Sequence, residues 1–403
     1  MRVTDSLIQS QFLAAVSSLE SNLAQTQNEI SSSSSFTTAA GNPAAAGAVN
    51  NYTQALAQSQ QYVTNSNAAQ TRLSTEDNSL SQVQSALQSL RDLALEANNS
   101  GLSDQDRSAI ATQATQIQNT LLGLANTQDG NGEYLFGGFS TGTQPFSLTS
   151  TGATYNGDQG QRMVQIGPGQ TIPDSDNGNA VFQQIKTGNG TFNVTEPTGA
   201  PANTGTGVVG ATSVSNPETY AAGNGQYTID FTAPGTYEVR DSTNAVIDTG
   251  AYASGGTISF AGIQVNLTGA PAAGDSFSVA PSTNQSLFAT VQNFVSALQP
   301  GSDSAASLAQ MNNGINGTLN NIDQALDQMS NVRADIGGRL NSITTQQSVA
   351  GTQQTQLQSN ISSLQGLDYA AAITTLDQQN TTLSAALQAY AQTQGLSLFN
   401  FIK

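Results

Sequence analysis

Apolar side chains recur near both ends of the chain at the step of a coiled coil. Phe12, Val16, Leu19, Leu23, Thr26 and Ile30 advance by fours and threes, and Ile373, Leu376, Leu383, Leu387 and Tyr390 carry a matching stripe. An amphipathic stripe far from any large core needs a second helix to cover it. A single helix of this size is marginal alone. The pattern therefore predicts that the ends order by packing on each other and on neighbouring subunits.

Inward from each end the helical period continues. A first helix over about residues 5–30 ends in Ser31 to Ser35, and a loop with Gly41 and Pro43 leads to a long helix over about 44–99. Its seam runs through Val49, Tyr52, Leu56 and Val63, then Leu80, Val83, Leu87 and Leu90, with a slip near Leu73 that reads as a stutter. Asn98-Asn99-Ser100-Gly101 closes it. Ser103 with Asp106 forms a capping box for a third stripe, Ile110, Ala114, Ile117, Leu121 and Leu124.

From Asp129 to about Ser286 the period changes to two. Tyr227-Thr228-Ile229-Asp230-Phe231, Tyr237-Glu238-Val239-Arg240 and Thr257-Ile258-Ser259-Phe260 alternate as strands do, with Pro and Gly between them. Helices resume at Leu287, break at Pro300-Gly301, and run through Ile315, Ile322 and Met329; a further helix is expected to reach Gln365, where Gly366 interrupts before the C-terminal seam. The fold class is thus mainly α with a β-rich insertion, and the helices nest in sequence around it. The expected domains are 1–43 with 366–403, a terminal coiled coil; 44–165 with 286–365, a helical rod with a β hairpin; and 166–285, a variable β-rich domain.

Composition narrows the function classes. The 403 residues leave room for about two to four domains. Charged residues are 9% of the chain, where about a quarter is usual. Ten basic against twenty-seven acidic residues give a formal charge of −17, and the few Arg are scattered, so phosphate backbones and anionic lipid are poor partners. With no Cys and no His, disulfides, thiolate metal sites and the commonest general base are absent. No run resembles a membrane span, and Met1-Arg2-Val3-Thr4-Asp5 opens without an apolar leader core, so any export is expected to proceed without a cleaved leader.

Candidate chemistry falls away on inspection. Gly205-Thr206-Gly207-Val208-Val209-Gly210 has the letters of a dinucleotide fingerprint, but Pro197, Pro201 and Asn203 stand where a buried strand is required, and a flexible surface loop is the expectation. Asp129, Asn131 and Glu133 alternate like calcium ligands, yet Tyr134 replaces the needed Gly and Ser140 the bidentate Glu, so a tight turn is expected. Ser31 to Ser35 have no His to act as base, and a Ser-Lys pair would need Lys186 or Lys403; a polar hinge is the plainer account. No catalytic group, cofactor or metal is expected.

The nested layout resembles the flagellin superfamily. The resemblance rests on Met1-Arg2-Val3-Thr4, on Asp129-Gly130-Asn131-Gly132-Glu133-Tyr134-Leu135-Phe136-Gly137-Gly138, and on Val332-Arg333-Ala334-Asp335-Ile336-Gly337-Gly338-Arg339-Leu340-Asn341. It is strongest at Leu367-Asp368-Tyr369-Ala370 and Gly395-Leu396-Ser397-Leu398-Phe399-Asn400-Phe401. It covers both helical arms and not the β middle. The segment Ser31 to Ser35 with Gly41-Asn42 before Pro43 departs from the basic and acidic pattern usual there.

What the resemblance implies is a structural subunit of the bacterial flagellum, of the hook-associated kind that connects hook to filament. A filament subunit is the alternative, and a secreted adhesin with a β head on a helical stalk a more distant one; pairing of both termini and the Leu398-Phe399-Asn400-Phe401 ending favour the junction subunit. The implied partners are copies of itself in a ring or helix, a hook-associated neighbour on the hook side, flagellin or another hook-associated protein on the filament side, and an export chaperone. The implied location is extracellular, reached unfolded through the flagellar type III apparatus. Subunit and chaperone contacts are expected at Phe12, Val16, Leu19, Leu23, Ile30, Ile373, Leu376, Leu383, Leu387, Tyr390, Leu396, Leu398 and Phe399.

Overall fold

The computed structural model describes residues 2–99, 101–197, 202–299 and 304–399, with side chains from 6 to 392 among these. Met1, Ser100, Pro201, Pro300, Gly301, Asn400, Phe401 and Lys403, named above, lie outside the described residues. Helix makes up 56% of the described residues. The helices are α1 (Arg2–Ser32), α2 (Pro43–Ala97), α3 (Asp104–Ala125), a short α4 (Pro217–Ala222), α5 (Leu287–Ala297), α6 (Ala305–Gln365) and α7 (Tyr369–Phe399). By contact density the chain forms two compact units, residues 1–64 with 345–403, and residues 65–344. Helices α2 and α6 supply residues to both.

In the larger unit α2, α3 and α6 bury their stripes together. Leu73, Leu80, Leu87 and Ala94 recur every seventh residue on α2, and Ile315, Ile322, Met329, Ile336 and Ile343 do so on α6, all fully buried. A sustained seven-residue repeat keeps one seam facing a partner helix. The slip expected near Leu73 is absent: Ser59, Ser66, Leu73, Leu80 and Leu87 are all buried at a strict seven-residue step, with Ala69, Glu76 and Val83 buried between them, because small and polar residues hold seam positions that apolar spacing alone passes over. Helix α3 opens with the capping box read from sequence, Asp106 N–H donating to Ser103 Oγ (3.2 Å) and Ser103 N–H to Asp106 Oδ2 (3.1 Å).

Two expectations are corrected here. The two helical segments predicted between Leu308 and Gln365 are one helix, α6, because its buried stripe keeps phase through Gly337 and Gly338. The period-two region also contains helical turns, α4 and a π-helical turn Asn179–Gln183. Asn216 caps α4 and Pro217 occupies its first turn, a start signal that a window as short as Pro217–Ala222 hides.

The strands are β1 (Phe146–Thr149), β2 (Gly152–Tyr155), β3 (Met163–Gly167), β4 (Gln170–Pro173), β5 (Ile185–Lys186), β6 (Phe192–Thr195), β7 (Val208–Val214), β8 (Tyr227–Ala233), β9 (Thr236–Asp241), β10 (Val246–Ala251), β11 (Thr257–Phe260), β12 (Ile263–Thr268), β13 (Ser276–Pro281) and β14 (Asn284–Gln285). A five-stranded antiparallel sheet runs β10-β9-β8-β13-β6, and a three-stranded one β11-β12-β7. Their inner faces share one core, with Ile229, Phe231, Val239 and Phe277 from the first sheet and Ile258, Ile263, Val265 and Leu267 from the second. This is separate from the helical core, which extends over the hairpins through the ring cluster Phe136, Phe146, Phe182 and Phe288.

The glycine-rich segment at 205–210 is not a flexible surface loop. Thr204 and Gly205 N–H donate to the buried Asp275 carboxylate at 2.7 and 3.0 Å, and Val208 begins strand β7. The glycines admit close packing, since a Cβ on Gly205 would lie 2.3 Å from the Ala272 nitrogen.

Candidate assembly interface at the paired termini

Helices α1 and α7 lie antiparallel as a pair. Phe12 near the start of α1 stacks on Tyr390 near the end of α7, ring centroids 4.2 Å apart and planes within 6°. At the other end the Ser33 and Tyr369 hydroxyls are hydrogen-bonded, Ser35 N–H donates to Gln365 O (2.9 Å), and Ser34 bridges to Gly366. Ser33 to Ser35 thus fasten the end of α1 to the junction between α6 and α7, and Ser31 and Ser32 belong to α1 itself. Asp368 caps α7, its Oδ1 accepting from Ala370 and Ala371 N–H at 3.0 and 3.1 Å, so the chain turns sharply before the helix starts.

The pair covers one seam. On α1, Val16 and Thr26 are buried and Phe12, Leu19, Leu23 and Ile30 half-buried. On α7 the covered positions are Ala372, Leu376, Gln379, Leu383, Ala386 and Tyr390, again in fours and threes. Ala372, Gln379 and Ala386 carry no strong apolar signal, so residue spacing points instead to their larger neighbours Ile373 and Leu387. The Gln379 Oε1 is buried without a partner, a polar note inside the seam.

Ile373 and Leu387 stand 49% and 48% exposed, and Leu7, Ile8 and Leu13 on α1 are 54–63% exposed. The pair therefore carries uncovered apolar side chains on both helices that the intrachain seam leaves to solvent. Leu396, Leu398 and Phe399 fall in the last turns of α7, and their side chains lie outside the described residues.

The other motif residues hold the larger unit together. Arg72, 4% exposed on α2, donates to Asp129 Oδ2 (2.5 Å) and to Tyr134 O (3.0 Å), while Asp129 Oδ1 accepts from Asn131 and Glu133 N–H. Burial pushes the Asp129 carboxyl up, but the Asn131 and Glu133 amides and Arg72 together hold it below its ordinary range. The turn expected at Asp129 is thus a buried arginine socket, and among the described residues no group of three or more acidic side chains is placed to hold a metal. Gly138, at φ +69°, closes this loop against Asp158, whose carboxylate accepts from Phe139 and Gly160 N–H.

On α6, Arg333 donates to Asp77 (2.8 Å) and Gln84 (2.8 Å) of α2, and Arg339 forks onto Asp176 with two bonds of 2.9 Å. Asp176 N–H donates to the fully buried Glu76 (3.1 Å), whose carboxyl is pushed well above its ordinary range by burial and by the nearby Asp176 charge. These contacts bind and position; none brings a nucleophile and a base together in a cleft. No described helix is long and apolar enough to cross a membrane.

Comparison with known proteins places the architecture. Residues 3–141 match the bacterial flagellin N-terminal helical region, 319–402 the bacterial flagellin C-terminal helical region, and 200–281 the D2-like domain of flagellar hook-associated protein 1. The flagellar hook-associated protein 3 of Escherichia coli K12 is 26% identical over 358 residues, covering 87% of this chain and 83% of the relative. The Xanthomonas campestris FlgL crystal structure is 36% identical with a TM-score of 0.68, covering 76% of this chain and 99% of its own. A hook-associated protein 3 structure from Legionella pneumophila is 31% identical with a TM-score of 0.74, covering 78% and 98%. Similarity at this identity, over nearly the whole length of the solved relatives, shows that the chain belongs to the FlgL family of flagellar hook-associated proteins, within the flagellin superfamily.

Proposed function

We propose that the chain is a structural subunit joining hook to filament in the bacterial flagellum, assembling through its paired terminal helices. The observation that carries the reading is the α1–α7 pair, in which one apolar seam is covered internally while Leu7, Ile8, Leu13, Ile373 and Leu387 remain uncovered. Large exposed aliphatics on helices already folded onto each other suit contact with further helices. In this reading the neighbours are other copies of the chain, a hook-associated protein on the hook side, and flagellin or another hook-associated protein on the filament side.

Export is proposed to proceed unfolded through the flagellar type III route, with a chaperone shielding the α7 stripe until it meets α1. The D0-, D1- and D2-like division at 1–43 with 366–403, 44–165 with 286–365, and 166–285 remains part of this reading; the separate core shared by the two larger sheets, from Phe192 to Val279, supports a distinct β-rich domain, while Ile166, Val181, Phe182 and Ile185 pack in the helical core.

The test removes residues 373–403 in a strain lacking the native gene, then follows flagellin in the medium and on isolated hooks. Complete hooks with flagellin shed unpolymerised are expected. Normal filaments on those hooks would overturn the role given to the terminal pair.

A further inference from the structure

We infer that Asn224, in the turn between α4 and β8, is a site of spontaneous covalent modification, losing its side-chain amide to attack by the backbone nitrogen of Gly225. The chain holds seven Asn-Gly steps, at Asn131, Asn156, Asn177, Asn189, Asn224, Asn313 and Asn316. At such a step the glycine has no Cβ to keep its nitrogen from the Asn Cγ. Ring closure still requires that the intervening peptide can turn and that the side-chain amide is free. The fold decides which step meets both conditions.

Six of the steps are tied down. The nitrogens of Gly132, Gly178 and Gly190 donate to Asp129 O, Phe136 O and Thr187 O at 3.1, 2.9 and 3.2 Å. Gly314 and Gly317 lie inside α6, where helical hydrogen bonds fix the peptide, and the Asn313 and Asn316 side chains are bonded to Val209 of β7. The Asn156 side chain donates to Ser147 Oγ (3.1 Å), and the Asn156 and Asp158 N–H groups on either side of Gly157 donate to Pro145 O (2.7 Å) and Gly137 O (3.2 Å). Asn224 differs on each count. It is exposed, and among the described residues its side chain, its carbonyl and the Gly225 N–H have no hydrogen-bond partner. At φ +58° and +67° both residues lie in the left-handed region, which Asn and Gly adopt without other support.

The balance is that of an amide hydrolysis. The Gly225 nitrogen gives up its proton and bonds to Asn224 Cγ, the Cγ–Nδ2 bond breaks, and ammonia leaves a succinimide ring. Water then opens the ring at either carbonyl, giving an aspartyl or an isoaspartyl residue, and nothing is oxidised or reduced. Either product adds a negative charge to the β-rich domain. The isoaspartyl form also lengthens the main chain by one atom ahead of β8, where Tyr220 Oη donates to Gly225 O (3.3 Å). Helices α1 and α7 contain no Asn-Gly step, so the terminal pair is spared.

The test holds the purified full chain in mildly alkaline buffer, folded and in guanidinium chloride, and follows each Asn-Gly peptide by mass spectrometry with enzymatic methylation of isoaspartate. In denaturant all seven steps are expected to convert at similar rates. In the folded chain the Asn224 peptide is expected to gain one mass unit at least about fivefold faster than any other, since each of the rest must first break a hydrogen bond. Asn224→Gln, an exposed change, is expected to abolish this early conversion and leave the melting temperature unchanged. An Asn224 peptide that stays intact in the fold, another step that leads it, or early ammonia release undiminished in Asn224→Gln overturns the proposal, and each leaves the junction role untouched.

Discussion

Glu76 shows how much the larger unit spends on one buried carboxyl. One of its oxygens accepts the Asp176 amide, the other has no partner, and Asp176, Arg339 and Arg72 supply the surrounding charge. Burial first, then the Asp176 charge, favours the protonated form in the fold. Below the ordinary value of 4.5 both folded and unfolded chains hold this proton, so the group costs no stability there. As pH rises past that value the unfolded chain releases the proton first, and stability falls until the folded group also ionises. Glu76→Gln mimics the protonated form. Its melting temperature should gain on wild type steadily as pH rises from about 4.5 toward neutrality, and parallel profiles for the two proteins would show that Glu76 does not titrate in this way.

At the scale of elements, α6 does more than fill a seam. A row of amides on one of its faces fastens the β-rich region: Gln310 donates to Asn203 O (2.8 Å), Asn313 to Gly207 O (3.0 Å), and Asn316 to Val209 O (2.8 Å), while Val209 N–H donates to Asn313 Oδ1 (2.7 Å). Backbone groups at a strand start otherwise need solvent or a neighbouring strand. Asn313→Ala should cost about 1–3 kcal/mol by orphaning the Val209 amide. Hydrogen exchange would locate the effect, with protection lost at 207–210 and retained in the α2 seam; uniform loss would mean that the latch is not local.

Across the molecule, the terminal pair divides its apolar residues into two sets with different expected consequences. Ile373→Asp with Leu387→Asp alters positions about half exposed in the single chain, so thermal stability should change by no more than about 0.5 kcal/mol per site. Flagellin retention on hooks should nevertheless drop sharply. Leu383→Asp, on the covered seam, should lower both. If the outward pair can be charged without shedding flagellin, those side chains are not assembly contacts.

Much of this organisation is legible in the chain itself, because helix and coiled-coil periods are local properties. The stripes from Phe12 to Ile30 and Leu73 to Leu90, the Ser103–Asp106 box, and the change to period two after Asp129 all follow from residue spacing. Spacing also located the terminal seam to within one helical position. It did not separate Ala372, Gln379 and Ala386, which face α1, from Ile373 and Leu387, which face away. Small and polar residues can occupy a covered position when the opposite helix supplies the bulk, and only the packed pair reveals that. Tertiary structure likewise decided that Gly205 to Gly210 is held by Asp275 and enters a strand, and that Asp129 receives a buried arginine from α2. Those groups are brought together by strand register and helix packing across long separations, where no local period carries information.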